Sequence, residues 1–442
     1  MQMPKLKPFE VVFRDGVGAW ARGLARQSGS FLRWCWGAPR QSGMAAATAV
    51  VVAAASGCAT AQQAPFEVAL RDGSRVAARS VVGDASRGFD LQTANGERQH
   101  VAAAAVLAIH GAPVVVPALA SAHLAGGDVV RGTLSGGDAS GDRLELLSPV
   151  LGPVPLLVDR LSLLAAAGAP PLLTLALPDG VEEALFVRAN IGFDVVAGTL
   201  HQFGAAGIRF QAEGGEPRWF ANGDYVALRL AGATEPAEPP SALLLTRTAD
   251  RLGVRTASAT DEVWTLRGEG DADLRLRAGD LACLTFVGQG AVFASDLTPS
   301  EVRESSVDGD ALWSWQRDRS ALGGPLQVAG RAHGKGLGVH SRSRLAFRVP
   351  DGAAHFWTRV GIDDSSSELP LRADVDVAIE IDGKVAFQKR GLHSGEVVDA
   401  GMLAVKPGGT LVLEVDFGRG RDLGDRVDWL SPVFLPAPVR RP

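Results

Sequence analysis

Phe356-Trp357-Thr358-Arg359-Val360-Gly361-Ile362-Asp363-Asp364 is followed by Val375-Asp376-Val377-Ala378-Ile379-Glu380-Ile381 and then by Leu411-Val412-Leu413-Glu414-Val415. In each run apolar side chains recur at every second position, the period of a strand that buries one face. Phe356, Thr358, Val360 and Ile362 fall on one face, and Trp357 and Arg359 on the other. Val375, Val377, Ile379 and Ile381 repeat the pattern, with Asp374, Asp376 and Glu380 opposite and Asp382-Gly383 as a turn. Three such strands with Gly-rich corners describe half of a β-sandwich.

Upstream of this region the chain repeats itself. Asp128–Leu134 reads DVVRGTL and Asp194–Leu200 reads DVVAGTL, six identities in seven at a distance of 66 residues. Each string precedes a turn, a period-two segment, a third apolar strand and a closing run. Looser copies occupy Phe66–His110 and Leu243–Phe286. Four or five short strands joined by Asp-Gly or Gly-Gly turns predict small barrels or strongly bent sheets. Their pattern resembles Sm-like and SH3-like barrels, a likeness that assigns no activity. Pro-containing joints divide the chain into repeats at 62–111, 112–170, 171–235 and 236–295, ahead of a sandwich at 296–442. The fold expected is all-β: a jelly-roll sandwich preceded by several small β-barrel-like repeats.

The 442 residues carry 44 Lys and Arg against 49 Asp and Glu, a net charge of −5, which argues against nucleic acid as the main partner. Three Cys make no disulfide framework. Residues 1–61 read as an export signal: basic residues dominate, an apolar run follows from Met44 to Gly57, and Ala59-Thr60-Ala61 offers a cleavage site. That run is too short to span a bilayer as a helix, which takes ~20 residues. Ala55-Ser56-Gly57-Cys58 offers a second processing route, a lipoprotein box with Cys58 as the anchored residue. Either route makes the protein extracytoplasmic. Among the repeats, His100, His110, His123 and His201 lack the paired spacing of a metal site.

The order of motifs in the last third is specific. Trp313-Ser314-Trp315, then Gly334-Lys335-Gly336-Leu337-Gly338-Val339-His340-Ser341, then Val360-Gly361-Ile362-Asp363-Asp364, and finally Asp428-Trp429 resemble the NPCBM family over about residues 296–436. NPCBM abbreviates "novel putative carbohydrate-binding module". The resemblance implies a galactose-binding-like jelly roll, carbohydrate as partner, and a structural Ca²⁺ nearby. On it, His340, Arg342, Trp357, Asp428 and Trp429 are candidates to grip a sugar, an aromatic ring under the C–H face and fixed polar groups on the hydroxyls. Trp429 and His340 have a simpler reading as packing residues. Asp363 and Asp364 are candidates to hold Ca²⁺, a cation that prefers carboxylate oxygens, or else to cap the loop that follows. The function expected is that of a non-catalytic carbohydrate binder, secreted or envelope-anchored, with the repeats as spacer or interaction units. The alternatives are an adaptor for envelope proteins and a glycoside hydrolase, the latter requiring two carboxylates ~5–9.5 Å apart in a cleft.

Overall fold

Each of the upstream repeats is a five-strand meander in which the last strand returns to pair with the first. The computed structural model describes residues 65–437 apart from 171–174, 269–272, 308, 310–312 and 370–371; the export reading of residues 1–61 lies outside them. The first unit has the strands Phe66–Leu70, Arg75–Asp84, Gly88–Thr93, Arg98–Val101 and Val106–His110. The second and third run from Ala120 to Ala165 and from Glu183 to Leu230. The fourth runs from Ala242 to Phe286, with its second strand broken into Arg251–Val254 and Thr256–Ala259.

The near-identical strings lie at one structural position, the long second strand of units two and three (Val129–Gly137 and Phe193–Gly204). Register slips at Leu134/Gly136 and at Leu200/Gln202, as it does at Ala78/Ser80 in the first unit. A bulge at this place bends one strand so that its two halves serve two faces of a small barrel. The shared glycine of the string has a steric reason. A Cβ on Gly132 would stand 2.5 Å from the Leu147 carbonyl oxygen, and on Gly198 it would stand 2.0 Å from that of Gln211.

The units pair in a nested order. The last strand of the first meets the last strand of the fourth, His110 opposite Cys283. In the same way the last strand of the second meets that of the third, Leu163 opposite Arg229. One apolar core, from Phe66 to Phe286, runs through all four units.

The sandwich follows. One sheet has the order Gln316–Arg317, Gly336–His340, Arg426–Pro436, Ala353–Ile362, Val397–Asp399; the other has Glu301–Glu304, Ser343–Arg348, Thr410–Phe417, Asp374–Ile381, Lys384–His393. Pairing within each order is antiparallel. Between the sheets lie Phe356, Val360, Val375, Val377, Ile379, Leu411, Leu413 and Trp429. The apolar alternates of the sequence are therefore the sandwich core.

The opposite alternates are covered too. Trp357 packs with Leu107 of the first unit and with Phe293, and Arg359 reaches Glu67 at 3.3 Å. The face of the sandwich that its own sequence marks as outward is docked on the repeats.

Candidate functional site

The chain changes sheets between Gly336–His340 and Ser343–Arg348, and the crossing places His340, Ser341 and Arg342 at one end of the sandwich. The glycines of the preceding strand permit this: a Cβ on Gly338 would stand 2.3 Å from the Arg319 carbonyl oxygen. Glu304 ends the neighbouring edge strand, opposite Ser343. Trp313 precedes the short strand Gln316–Arg317 and lays its ring over His340, centroids 4.9 Å apart and planes 37° apart. Together Glu304, Ser305, Ser306, Trp313, His340, Ser341 and Arg342 line a shallow open cleft of about 220 Å³.

His340, Arg342 and Glu304 are each held by the surrounding chain. Burial lowers the pKa of His340, so its imidazole is neutral at pH 7. Its Nδ1–H donates to the Ser341 carbonyl at 2.9 Å, which leaves Nε2 as an acceptor. Arg342 is held from behind by Asp416 at 2.8 Å and lies 5.0 Å from the Phe417 ring centroid. Glu304 accepts the backbone N–H of Trp315 at 2.6 Å, while burial raises its pKa. Trp313 keeps 37% of its surface exposed. The result is one accessible aromatic face ringed by an acceptor, a cation and hydroxyls.

Beneath the cleft, the Ser341 hydroxyl donates to Asp425 at 2.7 Å. Burial pushes the Asp425 carboxyl up to about 7, and the nearby Asp422 and Asp374 add to the rise. A carboxyl so raised favours folding while it stays protonated. The unfolded chain ionises it above pH about 4, so its contribution is full below that and is lost as pH rises toward about 7. Wild type compared with Asp425→Asn by thermal melting should show a Tm difference that moves against wild type across this window. A difference constant with pH would refute the assignment.

Of the residues marked from the sequence, the structure brings His340 and Arg342 together in the cleft and takes three others away from solvent. Trp429 is fully buried in the sandwich core. Trp357 is 4% exposed against the first unit, its Nε1–H donating to Asp399 at 3.0 Å. Asp428 points out of its sheet by alternation, yet it is fully buried, because it is flanked by Gly338 and Gly361 and covered by the 326–333 hairpin. None of the three can touch a sugar, and the sequence reading is corrected there. Trp313, opening a motif but assigned no role, is the aromatic group that the sequence reading missed.

Asp363 and Asp364 are occupied by the loops around them. Asp363 accepts from the backbone N–H and hydroxyl of Ser365 and from Gln327 N–H at 3.4 Å. Asp364 accepts the N–H groups of Ala329 and Gly330, both at 2.8 Å. Asp428 beside them has its pKa raised well above the usual carboxylate range by burial and then by the Asp363 charge. Ca²⁺ needs six to eight oxygens, and this setting supplies N–H donors instead. Among the described residues no three of His, Cys, Asp and Glu gather into a group that could hold a metal. In this structure the two aspartates cap loops, the second of the two roles expected for them.

Residues 290–435 match the NPCBM/NEW2 domain. The cleft lies wholly within that NPCBM/NEW2 segment. No curated protein matches the chain. Among solved structures, the chain is similar to the CBM51-2 and INT domains of Clostridium perfringens ZmpB in complex with GlcNAc, at 18% identity and a TM-score of 0.30. That match covers 41% of this chain and spans 37% of the length of the other. It is also similar to the CBM51 module of a Clostridium perfringens GH95 protein in complex with methyl-galactose, at 21% identity and a TM-score of 0.28, covering 33% of this chain and 99% of that one. A third similar structure is the tandem CBM51 modules of a Streptococcus pneumoniae family 98 glycoside hydrolase, at 14% identity and a TM-score of 0.28, over 79% and 88% of the two chains.

Proposed function

We propose that the protein is a non-catalytic carbohydrate binder and that its NPCBM/NEW2 domain takes one terminal sugar ring in the Trp313–His340 cleft. The observation that carries this is the exposed Trp313 ring stacked over a neutral His340 beside Arg342 and Glu304. An aromatic face accepts the C–H side of a pyranose, while His340 Nε2, the Arg342 guanidinium and the Glu304 carboxyl divide its hydroxyls. The cleft is shallow and open to solvent, a form suited to the end of a glycan and not to enclosing a whole ligand. The repeats then act as a rigid base for the sandwich, and the protein works outside the cytoplasm, where glycans are met.

A glycan array followed by titration with methyl-galactoside and N-acetylglucosamine tests this. Saturable binding of a terminal sugar is expected. A blank array together with flat titrations would sink the proposal. A second reading, an adaptor for envelope proteins, is favoured by Ile191 (95% exposed) and Trp219 (55%), apolar side chains displayed by the third unit. Protein partners that are captured by wild type and lost on Ile191→Asp would support it.

A further inference from the structure

A second cleft, of about 410 Å³ including its open mouth, lies where the second and fourth units meet the sandwich. Arg131, Arg251 and Arg319 line it from these three parts of the chain. The carboxylates there are already committed. Asp318 accepts from Arg251 and from Lys335, both at 2.9 Å, and from the Gly336 N–H at 3.1 Å. Asp250, fully buried, accepts the backbone N–H of Arg131 at 2.7 Å and the hydroxyls of Ser148, Thr246 and Thr248. Lys335 has a second carboxylate in Asp296, and Asp128 takes the Gly253 N–H.

Two of the arginines also have partners. Arg131 donates to the Ala249 carbonyl, and Arg251 donates to that of Gly127 at 2.8 Å. Arg319 stands apart. The residue is half-buried, and its guanidinium makes no hydrogen bond or ion pair with a described residue, although it carries five donors. Asp318 is near enough to be felt, but Arg251 opposes it and burial adds to the cost. The excess of positive charge reaches the neighbouring His123. Burial first, and then Arg319, Arg131 and Arg229, push its pKa down to about 3. An unmatched, planar, five-donor cation in a cleft is the arrangement that recognises an oxyanion.

We propose that this cleft binds a small oxyanion, seated on Arg319 with Arg131 beside it. The shared chemistry is a carboxylate or phosphate group, supplied either by a free inorganic ion or by an acidic sugar such as a uronate. The site is separate from the Trp313–His340 cleft and does not depend on it.

Titration of the full chain with sodium phosphate and with glucuronate, at ionic strength held constant with sodium chloride, tests the proposal by calorimetry and thermal shift. At least one of the two anions should bind saturably with a stoichiometry near one. Phosphate as the tighter ligand would identify a free ion, and glucuronate as the tighter one an acidic glycan. Arg319→Gln should weaken binding at least tenfold without lowering the ligand-free Tm, since a half-buried charge without a protein partner is removed. Arg319→Lys, which keeps the charge but loses the fork, should bind more weakly than wild type, and it serves if the Gln variant fails to fold. Arg275→Gln, an equal charge change at an exposed position of a strand of the fourth unit, should bind as wild type does. The proposal is overturned if neither anion binds, if chloride gives the same shift, or if the Arg275 and Arg319 variants lose binding equally.

Discussion

Trp313→Ala is expected to lower the affinity for the preferred sugar at least tenfold, and at millimolar affinity that leaves no measurable binding. Trp313 supplies the exposed ring of the cleft, and the other groups there touch only hydroxyls that water serves nearly as well. Loss of a central aromatic contact typically costs ~2 kcal/mol or more, while a tenfold change in affinity is only ~1.4 kcal/mol. Folding should be spared, because the ring packs on His340 at the surface and not in a core cluster. Trp219→Ala, which removes another exposed ring in the third unit, is the control and should leave the titration unchanged. If sugar affinity survives Trp313→Ala, the cleft is not the site.

Trp429→Ala should have the largest effect on stability, with no direct effect on the ligand. The side chain is fully buried between the two sheets, next to Val360 in the register. Truncating a buried Trp costs ~3–5 kcal/mol through lost transfer energy and the cavity left behind, a large share of a domain's ~5–15 kcal/mol. Denaturant unfolding should show an early transition of the sandwich. Trp429→Phe should cost much less, partly because the Nε1–H it removes has no acceptor in the core. A variant with alanine here that melts like wild type would contradict the core placement.

The two substitutions probe tryptophans that look alike in sequence, and they show what a local pattern can and cannot carry. The period-two runs identified the sandwich because a strand's alternation is set by its own residues: Val375, Val377, Ile379, Leu411 and Leu413 all lie in the core. The repeated seven-residue string was legible for the same reason, its glycine answering a carbonyl one strand away. His340 and Arg342 were legible as a pair because two residues span the crossing between the sheets.

Features set by distant chain were not legible. Trp357 and Asp428 point outward by alternation, and only the first unit and the 326–333 hairpin bury them. Asp363-Asp364 reads equally as a cation site or a loop cap, and the N–H groups that Asp364 accepts come from Ala329 and Gly330, 35 and 34 positions away. Trp313 sits in a segment without periodicity, and its role depends on a His that arrives from another strand.

The nested pairing of the units has a consequence in time. When the first unit has been synthesised, the edge strand that will protect Val106–His110 does not yet exist: Cys283 comes 173 residues after His110. The inner pair, units two and three, can close first. Once it has, the ends of units one and four are joined by a folded block instead of a loose loop. Loop entropy itself grows slowly, by only ~0.6 kcal/mol per doubling of length. The greater hazard is an open strand edge that waits for its partner and offers its unpaired N–H and C=O groups to any other chain. Closure of the inner pair before the outer one is the order of assembly that keeps this edge open for the shortest time. A chain that stops short of Leu281 leaves its first unit permanently with an open edge.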